Sequence, residues 1–98
     1  MSAEAPRGPT IIKDLEIINK RGLHARASAR FVQLVGAYQA DVTVSKDGIS
    51  VGGTSIMGLM MLAASPGCTI RVEVRGAQAE QLVTELEKMV ADRFGEAD

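Results

Sequence analysis

Aromatic residues are scarce in this chain: two phenylalanines, one tyrosine and no tryptophan, 3% of 98 residues. Single-stranded nucleic acid is held largely by stacking bases on exposed rings, so that class of partner is disfavoured. A formal net charge of −1, from 11 Lys and Arg against 12 Asp and Glu, also argues against a phosphate-backbone binder. One cysteine, Cys68, excludes an internal disulfide and a cysteine-based zinc site. One histidine, His24, excludes a histidine cluster. No metal or other cofactor is therefore expected. The opening stretch MSAEAPRGPT lacks the apolar centre of a secretory signal. The longest apolar run, SIMGLMMLAAS, falls far short of the ~20 residues that span a bilayer. A cytoplasmic location without membrane insertion is the expectation.

What is present, 46% hydrophobic and 23% charged residues, is ordinary for a globular domain. Residues 1–9 hold two of the three prolines and read as a flexible tail, leaving 10–98 as a single domain. IIKDLEII (11–18) is β-branched and partly alternating, a strand pattern. From Ala25 the apolar positions Ala27, Phe31, Leu34 and Val35 fall at helical spacing, and Gly36 is placed to end that helix in the left-handed conformation. ADVTVS (40–45) alternates, and Asp47-Gly48 before ISV is a strong hairpin signal. A short helix in SIMGLMMLAAS follows, left through Pro66-Gly67. CTIRVEVR (68–75) alternates again. The last helix runs from about Ala77 to Phe94, its apolar stripe made of Leu82, Val83, Leu86, Met89, Val90 and Phe94. The order β-α-β-β-α-β-α predicts an α+β fold, a four-stranded antiparallel sheet with three helices on one face. Periodicity does not give the strand order.

His24 stands at the start of the first helix. A helix start presents unpaired N–H groups and about half a unit of positive charge, which suits an anion, phosphate in particular. The same field disfavours an imidazolium, leaving a neutral ring able to act as a nucleophile. A phosphoryl group on that ring would hang over the N–H groups of Ala25 to Ala27, with the Arg26 fork in reach. Lys20, Arg21, Arg26 and Arg30 are basic, with no acid between Glu16 and Asp41. A surface histidine capping the helix accounts for the same residues, and a charge cluster is more often solvated surface.

In SIMGLMMLAA, Leu59, Leu62 and Ala63 share one arc of a helix, and Ile56, Met57 and Met60 another. Met61 falls between that second arc and the core on the far side. A one-sided sheet offers the helix only one surface to bury, so the second arc reads as an exposed, adaptable methionine patch. A helix sandwiched in the core is the competing reading.

GLHARASARFV, followed 31 residues after the histidine by SIMGLMMLAAS, resembles the HPr family of bacterial phosphotransferase-system phosphocarriers, from about Ile11 to Phe94. The resemblance implies an open-faced β-sandwich. It implies that His24 accepts a phosphoryl group on Nδ1 from phosphorylated Enzyme I, with phosphoenolpyruvate as the source. His24 would pass the group to an enzyme IIA, in sugar uptake or nitrogen-linked regulation. Arg26 would steady the phosphate. Ile56, Met57 and Met60 would dock both partners, with Arg30 in the basic rim. Ser55 matches a serine that a dedicated kinase phosphorylates in some bacteria, although a serine at a helix start is more often a cap. The chain would be a monomeric, stoichiometric carrier rather than an enzyme. Ala27 departs from the proline usual in the motif, a change that bears on how tightly the active loop is held. Two rivals remain: a small-molecule-binding regulatory domain with His24 incidental, and an enzyme using His24 as general base.

Overall fold

Alternation along the strands sorts the sheet into a buried and an open face. The computed structural model describes residues 10–96, so the tail expected over 1–9 lies outside the described residues. The elements are β1 (Thr10–Glu16), α1 (Ala25–Gly36), β2 (Asp41–Lys46), β3 (Ile49–Gly52), α2 (Ile56–Met61), β4 (Thr69–Arg75) and α3 (Ala79–Ala91). Their order is the one expected. The strands lie β1-β4-β2-β3, every neighbour antiparallel. Leu15, Val42, Val44, Ile70, Val72 and Val74 point under the helices and are buried. Asp14 and Arg71, opposite each other in the register, form an ion pair on the open face at 2.9 Å. The helices close the other face with Ala27, Phe31, Val35, Leu59, Leu62, Leu82, Leu86 and Val90.

The hairpin turns at Asp47 and Gly48, both at positive φ, as an Asp-Gly pair between alternating strands requires. The ends of α1 and α3 differ from expectation, and α3 begins at Ala79 rather than about Ala77. Gly36 is the last residue of α1 and is not left-handed; Ala37 closes the helix by donating its N–H to the Leu34 and Val35 carbonyls. A tightened last turn does the work that a left-handed glycine would have done. The last helix stops at Ala91 rather than running to Phe94. Arg93, Phe94 and Gly95 all take positive φ, between 55° and 77°, and fold Phe94 back into the core. The spacing from Val90 to Phe94 looked helical because both side chains are buried, but a left-handed turn buries the second.

Gly22 (φ +65°) lies against the loop after α2, where the Leu23 N–H donates to the Ala64 carbonyl at 2.9 Å. A Cβ on Gly22 would sit 2.2 Å from that carbonyl oxygen. This close approach sets the entry of the chain into α1. Gly22→Ala is expected to destabilise the fold by more than the ~1–2 kcal/mol that a left-handed conformation alone costs. A lowered urea midpoint at unchanged m-value would report it; an unshifted midpoint would show that the loop yields freely.

Candidate functional site

His24 is the N-cap of α1. Its backbone is extended (φ −74°, ψ −179°), its carbonyl accepts the Ser28 N–H at 2.9 Å, and its ring accepts the Arg26 N–H on Nδ1 at 3.3 Å. The Ala27 N–H, in the first turn of the helix, has no acceptor among the described residues, and Ala27 itself is buried. Arg26 is exposed, and no described carboxylate pairs with it. Phosphate-like anions suit such a place on two counts, the backbone donors of a first turn and the exposed guanidinium.

The other ring nitrogen meets a residue that no reading of the sequence singled out. The His24 Nε2–H donates to Oε2 of Glu96, just beyond the left-handed turn that follows α3. The second oxygen of Glu96 accepts from the Asn19 amide at 3.0 Å, and the same amide donates to the Gly22 carbonyl at 2.9 Å. Asn19 is fully buried, and only 17% of the His24 side chain and 13% of the Glu96 side chain are exposed. The two contacts on the ring agree about its proton. A carboxylate can only accept, so Nε2 carries the hydrogen; a backbone N–H can only donate, so Nδ1 carries the lone pair. The hydrogen bond from His24 holds the Glu96 carboxyl below its ordinary value; burial opposes this, while Asn19 and the charges of His24 and Arg21 reinforce it.

Arg30 reaches the same turn, its Nη1 donating to the Phe94 carbonyl. The structure thus ties Arg30 to the turn that carries Glu96, while Arg26 stands beside His24. On α2, Ile56, Met57, Met60 and Met61 are 41%, 72%, 43% and 70% exposed and line one apolar concavity. Met61 joins the patch, although the helical wheel set it apart from the other three. Ala63, expected in the core, is exposed at φ +54° because α2 has already ended at Met61; Ala64 is buried instead. Ser55 caps α2, accepting the Gly58 N–H on its hydroxyl at 2.9 Å. Because α1 packs on α2, and Leu23 is bonded to the loop beyond α2, histidine and patch are mounted on one rigid corner.

Glu96 was missed because 72 residues separate it from His24 and it belongs to no motif. The Asn19 in the turn before His24 carried no signal beyond its place there. A His–carboxylate pair is what a general base would use, but neither of the two described concavities is lined by His24.

A carboxyl held low in the folded state stabilises that state above its unfolded titration, near 4.5, and the contribution is lost as pH falls through the lower folded value. Chemical denaturation across pH 3–6 should therefore show stability falling on acidification, and Glu96→Gln should flatten part of that fall. Identical profiles for the two proteins would mean that the pairing contributes nothing in solution.

Comparison with known proteins adds to this geometry. Residues 11–92 match the family model described as the PTS HPr component phosphorylation site. The chain is similar to the phosphocarrier protein HPr of Cupriavidus necator, 45% identical over 86 residues, which is 88% of this chain and 97% of that protein. Among solved structures it is similar to HPr-C-His from Thermoanaerobacter tengcongensis (TM-score 0.85, 35% identity, 90% of this chain and 99% of that one). It is also similar to an HPr dimer from the same organism (TM-score 0.70, 38% identity, 84% and 94%), so a monomer is not implied by its relatives.

Proposed function

We infer the function from one premise: this chain belongs to the HPr family, the phosphocarriers of the phosphotransferase system. His24 takes a phosphoryl group from phosphorylated Enzyme I and yields it to an enzyme IIA in the cytoplasm. The observation that carries this reading is the His24 ring itself, with its Nδ1 lone pair beside the open first turn of α1.

In the accepting step Nδ1 forms a bond to phosphorus while the bond from phosphorus to the donor breaks, its electron pair leaving with the donor. The Arg26 N–H, which donates to Nδ1 in the unmodified protein, and the free Ala27 N–H then have phosphoryl oxygens to serve. The exposed Arg26 guanidinium adds charge without enclosing the group, so the next acceptor can approach in line. Nothing here needs a turnover of the protein's own: the chain is a substrate of its partners. The Ala27 in place of proline leaves His24 and Arg26 untouched and supplies one more N–H.

The exposed Ile56, Met57 and Met60 form the docking surface, and Met61 extends it. Arg26 and Arg30, on the helix that packs against α2, supply positive charge toward acidic partner surfaces, Arg30 while bonded to the Phe94 carbonyl. Ser55 is the cap of α2; a phosphate there would set a dianion beside Ile56 and Met57 and weaken docking more than folding.

Incubation with phosphoenolpyruvate and Enzyme I should add one acid-labile phosphate to the wild-type mass and none to His24→Ala. No gain in wild type, with Enzyme I active on another carrier, would overturn the reading. Met57→Glu should slow transfer from Enzyme I by at least about tenfold, ~1.4 kcal/mol, with the rise in KM, because an apolar contact then holds an unpaired charge. Unchanged kinetics would remove Met57 from the docking surface.

A further inference from the structure

We propose that Glu96 is the positioning residue of phosphoryl transfer: it pins the His24 tautomer and supplies the counter-charge when a phosphoryl group rides on Nδ1. The inference rests on His24 being the phosphoryl acceptor. Three observations carry it. The carboxylate sits on Nε2, the nitrogen that does not react. It is itself held in place by Asn19, whose amide spends its hydrogens on Glu96 and on the carbonyl of Gly22 in the turn entering His24. The turn that delivers it, Arg93–Gly95, is built from three left-handed residues, two of them not glycine and therefore strained. Burial of Phe94 and the Arg30 hydrogen bond to its carbonyl hold that turn closed.

The chemistry follows from the proton on Nε2. The opposite tautomer would aim an Nδ1–H at the Arg26 N–H and a lone pair at the carboxylate, two repulsions in place of two hydrogen bonds. With Nε2–H fixed, Nδ1 attacks through its lone pair and the ring, still holding its proton, acquires a positive charge. Glu96 faces that charge directly. In the onward step the N–P bond breaks, its electron pair returns to Nδ1, and the ring is again neutral with the proton still on Nε2. No proton moves in either direction. Were Nε2–H lost to water, the departing group would be an imidazolate, a far poorer leaving group. Among the described residues, Asn19, Arg21 from the turn before His24, Arg26 on α1 and the Arg30–Phe94 contact surround the pair. None of these is a second carboxylate competing for Nε2.

Orienting partners on the far nitrogen of a working histidine are worth about 10–100-fold where they have been removed from metal sites, and a similar loss is expected here. Two measurements test it on the full chain. Imidazole 15N shifts of His24, recorded where the ring is neutral, should report the Nε2–H tautomer alone in wild type and a mixture of tautomers in Glu96→Ala. Phosphorylation of Glu96→Ala by Enzyme I should be 10–100-fold slower in kcat with KM for the carrier unchanged, the reverse of the docking variant. Glu96→Gln, which can still accept from Nε2–H, should keep the tautomer and remain slow, separating orientation from charge. A merely structural Glu96 would leave tautomer and kcat unmoved while changing the denaturation midpoint, and that result would overturn the proposal. Failure of the carrier reading looks different, because wild type would then take up no phosphate whatever its tautomer.

Discussion

The His24 ring has a fixed partner on each nitrogen, and much of the molecule serves to keep both in place. The Arg26 N–H comes from α1, whose start is set by the tight approach of Gly22 to the loop after α2. Glu96 comes from the far end of the chain, carried there by α3 and a left-handed turn anchored through Phe94. The two meet only because β1 and β4 lie side by side with α3 packed across them. A ring held this way presents one lone pair in one direction. That is the property a phosphoryl carrier needs, since His24 lines neither of the two described concavities and the ring's own orientation must do the aligning.

The open sheet complements this economy. With all three helices on one face, the helix starts and the α2 methionines lie at the surface rather than in a cleft. Methionine side chains, which adapt to irregular surfaces, are then exposed on the helix next to the one that His24 caps. The same corner carries both, because a backbone hydrogen bond joins the residue before His24 to the loop leaving α2. His24 and the exposed methionines are thereby tied to one another through the backbone, although they stand on different helices.

Most of the fold was legible because burial alternates cleanly: Val42 and Val44, then Ile70, Val72 and Val74, are the inward positions that period two requires. His24, Arg26 and the methionine patch were legible for a related reason, since each lies within one helix start or one helix turn. Strand order was not, because pairing between β1 and β4 depends on contacts more than fifty residues apart. The end of α3 was misjudged where a buried Phe94 mimicked helical spacing through a left-handed turn. Glu96 and Asn19 were invisible for the deepest reason: their roles exist only between elements, and neither residue type is unusual where it stands.

The central claim is that Nδ1 is the reacting nitrogen because both neighbours of the ring make it so. The most direct test is to phosphorylate the 15N-labelled chain with Enzyme I and phosphoenolpyruvate and measure which imidazole nitrogen couples to 31P. Coupling at Nδ1, with Nε2 still bearing its hydrogen, is the predicted result. Coupling at Nε2 would require Glu96 to have left the ring, and would contradict the account at its root.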